Sequence, residues 1–171
     1  FYNVVMGRPA LGMPGNVYSY RKDVAAVAKT LAGDVEEALK EQAILLYMGH
    51  GNKYWPTGIY AEMQKKMSEM YPGVMTFIGV AEGVPALEDF LGQLKASQNK
   101  KIILRPFMIV AGNHAVKDMA GDEDDSWKSI LIREGYEVQP VLVGLGSNDQ
   151  FADLFVDHIA DAAAEINITL Q

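Results

Sequence analysis

Five short apolar runs recur along the chain, and longer amphipathic stretches separate them. The runs are rich in Val, Ile, Leu, Phe and Met, and they are apolar at neighbouring positions rather than at alternate ones. This pattern is typical of strands that are covered on both faces of a parallel sheet. The predicted strands span residues 2–6, 43–48, 74–80, 101–110 and 137–143.

Helical periodicity occupies the intervals between these runs. The predicted helices span residues 22–31, 57–70, 84–96, 126–133 and 150–166. Strands that alternate with helices indicate an α/β fold, an open parallel sheet with helices on both faces and right-handed crossovers. The chain shows no linker, repeat or low-complexity tract, so we expect residues 1–171 to form a single α/β domain.

The composition excludes several classes of protein. There is no cysteine, so disulfides, thiolate metal sites and cysteine nucleophiles are excluded, and any metal must be held by imidazole and carboxylate groups. The net charge of -7 and the scattered basic residues argue against nucleic acid as a partner. No apolar run approaches the ~20 residues that span a bilayer. We therefore expect a cytoplasmic protein, with the periplasm left open because the chain begins at Phe1.

Three of the predicted strands end in a potential metal ligand beside one or more glycines. His50, Glu82 and His114 are these residues, and each is separated from the next by 32 positions. One βα unit takes about 30 residues, so this spacing predicts that all three side chains lie at the same edge of the sheet. Two imidazoles and a carboxylate form a ligand set with open positions. On the spacing alone, a metal or acid–base site and a set of structural turns stay equally open.

Other chemistry-bearing residues have simpler explanations. His158 lies inside the last predicted helix and is assigned a packing role. The acidic run 122–125 precedes a predicted helix, whose positive end it favours. Residues 144–147 are predicted to form a plain glycine turn rather than an anion site at a helix N-terminus. Met63, Met67 and Met70 are predicted to be core or interface positions. Tyr54 and Trp55 are candidates either for stacking on a flat aromatic ligand or for packing at a helix start.

Several segments together resemble a known family. These segments resemble the anaerobic cobaltochelatases, and they span residues 44–51, 80–83, 105–115, 118–122 and 125–128. The first of them includes Met48-Gly49-His50-Gly51. These class II chelatases insert Co²⁺ into sirohydrochlorin, a tetrapyrrole, on the route to cobalamin. The long segment around His114 is the specific part of the match, and the resemblance extends from Val4 to the last helix.

The resemblance implies a function and a set of residue roles. His50, Glu82 and His114 would be the metal ligands, and His50 or His114 would take the pyrrole protons. The chain resembles the C-terminal, metal-binding lobe of a two-lobed chelatase without its N-terminal lobe. Co²⁺ is the expected metal substrate, with Ni²⁺ or Fe²⁺ as alternatives. A haem or tetrapyrrole carrier, a plain α/β interaction module and a homo-oligomer are the other hypotheses left open.

Overall fold

The computed structural model describes residues 4–13, 15, 17–54 and 58–168. Helices and strands follow one another in the order α1 (Tyr20–Thr30), α2 (Ala32–Lys40), β1 (Ile44–Gly51), α3 (Ile59–Met70), β2 (Thr76–Glu82), α4 (Glu88–Ala96), β3 (Lys101–Phe107), a π-helix (His114–Met119), α5 (Trp127–Arg133), β4 (Glu137–Pro140), a short 3₁₀ helix (Leu145–Ser147) and α6 (Asp149–Glu165).

Within the described residues the strands form one four-stranded sheet in the order β2-β1-β3-β4. Every neighbouring pair is parallel. The central strand β1 is buried along most of its length, and its Leu46 is paired with Phe77 on one side and Leu104 on the other. The predicted open parallel sheet is therefore confirmed.

Both faces of this sheet are covered by helices, as the continuous apolar runs predicted. On one face Leu45 and Tyr47 of β1 pack in a core with residues of α1, α2, α3 and α6. On the other face Leu46 and Met48 pack in a second core with residues of α4, the π-helix and α5. Because consecutive β1 side chains point to opposite faces, one strand supplies both cores.

The first predicted strand, residues 2–6, is wrong for the part that the structure describes. Residues 4–6 are not in a strand, and residues 1–3 lie outside the described part of the chain. Val4 and Met6 are 81% and 89% exposed, so neither is covered by a partner strand or a helix. An apolar run forms a strand only where it pairs with a sheet edge. The edge strands are β2 and β4, and residues 4–6 pair with neither.

Helix α2 was not predicted, because the first helix was expected to end at residue 31 with a loop after it. The chain instead turns at Leu31 and begins a second helix, in which only Val35 and Ala38 are buried. Leu31 supplies no side-chain cap, so the sequence carries no signal that a second helix starts there. The π-helix was also not predicted, since its pattern has no separate sequence signature.

Three other predicted elements are shorter in the structure than in the sequence analysis. β3 ends at Phe107 because the carbonyl groups of Met108 and Ile109 accept hydrogen bonds from the 3₁₀ helix. β4 ends at Pro140, and α4 begins at Glu88. The stretch before α4 is tied to β2 instead, since the Pro85 carbonyl accepts a 2.8 Å bond from the Val80 amide.

Among the described residues, we find no helix that is both long enough and apolar enough to cross a bilayer.

Candidate metal centre

The carboxyl end of β1 carries His50, and the strand order places this end between β2 and β3. In the strand register Gly51 is paired with Glu82 of β2, while Gly49 is paired with Phe107 of β3. Ligand sites of open parallel sheets form at the carboxyl ends of the strands. His50 thus lies in the middle of the edge at which the sequence predicted a site.

The glycines on either side of His50 are each required by a close neighbour. A Cβ on Gly49 would lie 2.4 Å from the Tyr60 ring, and a Cβ on Gly51 would lie 2.1 Å from the carbonyl oxygen of Glu82. Gly51 also has a φ of 79°, a conformation that side chains disfavour. The Tyr60 hydroxyl accepts a 3.2 Å hydrogen bond from the Gly51 amide. These contacts fix the backbone that carries His50.

The structure brings two of the three predicted ligands into direct contact. The imidazole rings of His50 and His114 lie 4.8 Å apart between centroids, with an angle of 87° between their planes. His114 begins the π-helix that follows β3. Such helices are rare and occur frequently at functional sites. Two residues that are 64 positions apart in the sequence therefore form one imidazole pair at the sheet edge.

Hydrogen bonds identify the protonated nitrogen of each ring. Nδ1 of His50 lies 3.1 Å from the carbonyl oxygen of Gly51, and Nδ1 of His114 contacts a carboxylate oxygen of Asp118. A carbonyl or an ionised carboxylate can only accept, so Nδ1 carries the proton in both neutral rings. Nε2 then keeps its lone pair in both, and a lone pair on nitrogen is what a metal ion requires.

Glu82 is near this pair but does not complete a cluster in the structure. It ends β2 beside Gly51 and is half-buried. The described residues contain no group of three His, Asp or Glu side chains arranged to hold a metal ion. His50 and His114 are thus brought together, whereas Glu82 lies on the neighbouring strand. Its assignment as the third ligand stays a prediction.

An apolar cavity of about 530 Å³ opens beside the two histidines. This volume lies within the range of ~300–1,000 Å³ that is common for small-molecule sites. Its walls are aromatic and aliphatic apart from the imidazoles and one amide, and they consist of Pro9, Ala10, Leu11, His50, Tyr60, Phe107, Met108, Ile109, Val110, Gly112, Asn113, His114, Leu145, Phe151 and Phe155. The cavity can therefore accept a large flat apolar ligand and present imidazole nitrogen to it.

One wall of the cavity was missed by the sequence analysis. It is formed by residues 9–11, which are held in place by Arg8. The Arg8 guanidinium donates to Asp23 of α1 at 2.8 and 2.9 Å and to Asp161 of α6 at 2.6 Å. The hydrogen bond with Asp23 raises the pKa of Arg8 above its usual range. A single arginine in a loop carries no sequence signal for such a network.

Comparison with known proteins identifies the family of this chain. A sequence model of the cobalt chelatase (CbiK) family matches residues 1–164. The chain belongs to this family. It is 29% identical over 167 residues to a protein named sirohydrochlorin cobaltochelatase CbiKC from Nitratidesulfovibrio vulgaris, covering 98% of this chain and 56% of that protein.

A second relative gives the same picture of the family. The chain is 30% identical over 156 residues to the sirohydrochlorin cobaltochelatase of Salmonella typhimurium, covering 91% of this chain and 57% of that protein. The chain therefore spans little more than half the length of these two cobalt chelatases. The resemblance that the sequence motifs suggested is confirmed.

The third histidine of the sequence lies in the interior of the protein. His158 is 3% exposed, and its Nδ1 bonds to the carbonyl oxygen of Arg8 at 3.0 Å, as expected for a packing role. Met63 and Met67 are fully buried in the core. Tyr54 is 74% exposed, and Trp55 lies outside the described residues.

The acidic run 122–125 lies before α5, as expected for residues that favour a helix N-terminus. Asp122 pairs with Lys128 at 2.6 Å, and this hydrogen bond lowers the pKa of Asp122. Asp124 lies 3.7 Å from Arg133. Part of the run is therefore engaged with basic residues of α5. The glycine turn at residues 144–147 contains the 3₁₀ helix, whose Leu145 lines the cavity.

Proposed function

We propose that this chain is the C-terminal, metal-binding lobe of a sirohydrochlorin cobaltochelatase, which inserts Co²⁺ into the tetrapyrrole during anaerobic cobalamin biosynthesis. The observation that carries the proposal is the His50–His114 ring contact at the mouth of an apolar cavity. Membership of the cobalt chelatase family and the printed names of two relatives support it. Metal chelation is a lyase activity that needs both a metal ligand set and a pocket for a macrocycle.

His50, His114 and Glu82 are the proposed metal ligands. With the proton on Nδ1, each histidine offers the lone pair of its Nε2 to the ion. Glu82 offers a carboxylate from the end of the adjacent strand and would offset part of the charge of the ion. Imidazole and carboxylate groups hold Co²⁺ in position. Because no thiolate binds it, the ion can still pass to the macrocycle.

Metal insertion also requires that two protons leave the ring. Two pyrrole N–H bonds break, the bonds from Co²⁺ to its protein ligands are exchanged for bonds to the four ring nitrogens, and the two released protons balance the charge of the incoming ion. Neutral imidazole can accept a proton near pH 7, because its ordinary pKa is ~6.5. We assign the uptake of one proton to His50 or His114, the histidines that line the cavity, because Nε2 regains a free lone pair once the ion has passed to the ring. The other proton goes to water.

The apolar cavity walls suit the flat face of the macrocycle. Phe107 and Phe151 contribute aromatic surface, and Leu11 and Leu145 contribute aliphatic surface. Burying apolar area of this kind is worth roughly 25 cal/mol per Å². Ring binding and metal binding would then depend on different residues of one site.

Two experiments test the proposal. Co²⁺ binding by the chain is measured from the ligand-field absorption of the ion, and insertion is assayed on a protein of the relatives' length. We expect His50→Ala and His114→Ala to weaken Co²⁺ binding strongly and to abolish insertion, with the fold intact. Glu82→Gln should weaken binding less. Asp125→Asn, an exposed carboxylate of the acidic run, is the control. Unchanged binding and insertion in both histidine variants would contradict the proposal.

The choice of metal is a second part of the test. The relatives' names specify cobalt, whereas the donor set also accepts Ni²⁺ and Fe²⁺. Competition among the three ions in the insertion assay should favour Co²⁺. The cytoplasmic location and a homo-oligomeric state stay predictions, which cell fractionation and light scattering can test.

A further inference from the structure

Asp118 makes a contact that the proposed function does not use. Its carboxylate contacts Nδ1 of His114, one turn earlier on the same π-helix. The Asp118 side chain is 49% exposed and that of His114 is 29% exposed, so both can change without opening the core. A carboxylate on the outer nitrogen of a metal-binding imidazole fixes the tautomer and the ring orientation.

The two histidines of the pair are held by different acceptors. His50 donates to a backbone carbonyl, that of its neighbour Gly51, at 3.1 Å. His114 contacts a charged side chain instead. A charged acceptor makes the stronger hydrogen bond, and it increases the electron density on the opposite nitrogen. His114 therefore has the more firmly fixed ring and the stronger donor atom of the two.

The π-helix supports this arrangement through its own hydrogen bonds. The amide of Ala120 donates to the carbonyl of Ala115 at 3.1 Å, the wide spacing that defines such a turn. Ala115 and Met119 are fully buried beneath it and anchor the turn to the sheet. His114 and Asp118 thus project from a turn whose other face is held by the core.

We propose that Asp118 is a positioning residue for the metal substrate, because it holds His114 in the tautomer and orientation in which Nε2 meets the ion beside His50. The proposal rests on the proposed function, since it assumes that His114 binds Co²⁺. Asp118 acts through His114 and does not itself bind the ion. A structural role in the helix alone would affect folding and leave metal affinity unchanged.

The experiment measures Co²⁺ dissociation constants from the ligand-field absorption of the ion in variants of this chain. Asp118→Asn and Asp118→Ala should weaken Co²⁺ binding by about 10- to 100-fold, the effect of losing an outer carboxylate. Asp118→Glu, which keeps the charge, should restore part of the affinity. Asp125→Asn should bind Co²⁺ as the unchanged protein does. Thermal unfolding checks that the variants keep their fold.

A double variant separates positioning from direct ligation. In a His114→Ala background, Asp118→Asn should cause no further loss of affinity, because the residue through which it acts is gone. A further loss would overturn the proposal and make Asp118 a ligand. Imidazole nitrogen NMR shifts supply a second measurement, and Asp118→Asn should move those of His114 away from the Nδ1-protonated form.

The failures of the two proposals are distinguishable. If His114→Ala weakens Co²⁺ binding while Asp118→Asn does not, the positioning role is overturned and the proposed function stands. If neither His50→Ala nor His114→Ala changes binding, the metal centre itself is overturned.

Discussion

At the end of β1 two glycines flank His50, and each makes room for a different neighbour. Gly51→Ala would place a Cβ 2.1 Å from a backbone oxygen at a φ of 79°. We expect this variant to lose about 1–3 kcal/mol of stability, the usual effect of strain at such a position. It should also weaken Co²⁺ binding, because the neighbouring His50 must shift. Urea unfolding and Co²⁺ titration measure the two effects.

Gly92→Ala is the matched control. Gly92 lies within α4, and nothing lies within 4 Å of a Cβ built there. Alanine in a helix interior is more stable than glycine by roughly 0.5–1 kcal/mol. We therefore expect a small gain in stability and unchanged Co²⁺ binding. Equal effects of the two substitutions would contradict the role given to the strand end.

Tyr47 makes stability depend on pH in the alkaline range. It is fully buried and donates a 2.6 Å hydrogen bond to Asp34, and burial raises its pKa well above the ordinary value of 10.0. Above about pH 10 the unfolded chain ionises this phenol while the folded chain does not. The free energy of unfolding should therefore fall as pH rises, by up to ~1.4 kcal/mol per pH unit for this residue.

Urea unfolding between pH 9 and pH 11 tests this expectation, and Tyr47→Phe should reduce the slope. At neutral pH the same variant should lose about 1.5–3 kcal/mol, because a hydrogen bond to a carboxylate is lost. Tyr136→Phe is the comparison. The Tyr136 hydroxyl is buried with no hydrogen-bond partner among the described residues, so its removal should cost little. An unchanged slope in Tyr47→Phe would contradict the assignment.

At the scale of elements, Arg8 joins the N-terminal segment to α1 and α6. Its guanidinium and the carboxylate of Asp23 are 9% and 7% exposed. Arg8→Ala would leave Asp23 buried, with His158 at 3.3 Å as its remaining ion-pair partner among the described residues. Breaking a buried ion pair in this way costs about 3–5 kcal/mol. We expect a loss of that order in urea unfolding, with faster amide exchange at Ala10 and Leu11.

An exposed ion pair provides the contrast. Lys66 and Glu69 lie 2.5 Å apart on α3, with side chains 30% and 46% exposed. Pairs of this kind contribute ~0–1 kcal/mol. Lys66→Ala should therefore change stability little. If Arg8→Ala lowers the free energy of unfolding as little as Lys66→Ala does, Arg8 does not anchor the cavity wall.

The elements that could be predicted are those whose periodicity the sheet itself imposes. β1, β2 and β3 are buried on both faces, so their apolar runs were visible in the sequence. Residues 4–6 have a similar run but no strand to pair with. α2 follows α1 after Leu31, which supplies no side-chain cap, so its start had no sequence signal. Strand pairing and the partners of Arg8 depend on tertiary structure, so the local sequence pattern does not predict them.

At the scale of the whole molecule, spacing could predict the edge of the site but not its contacts. Equal intervals of 32 residues identified His50, Glu82 and His114, and the parallel order placed their strand ends together. The ring contact between the two histidines depends on the π-helix, and the cavity depends on residues 9–11. Neither has a sequence signature, so the sheet edge that carries the candidate site was predictable and the geometry of the site was not.

The 171-residue chain by itself should be a slow catalyst of metal insertion. Its cavity is open, and a macrocycle bound there would touch this chain mainly through one face. Enzymes often hold a substrate part-way to the transition state, with ~1–5 kcal/mol of strain, in a site that excludes water. One face cannot impose that strain. We therefore expect Co²⁺ binding without efficient insertion, about tenfold to a thousandfold slower than in the Salmonella typhimurium relative. Sirohydrochlorin absorption follows the reaction, and turnover equal to that of the relative would show that one lobe suffices.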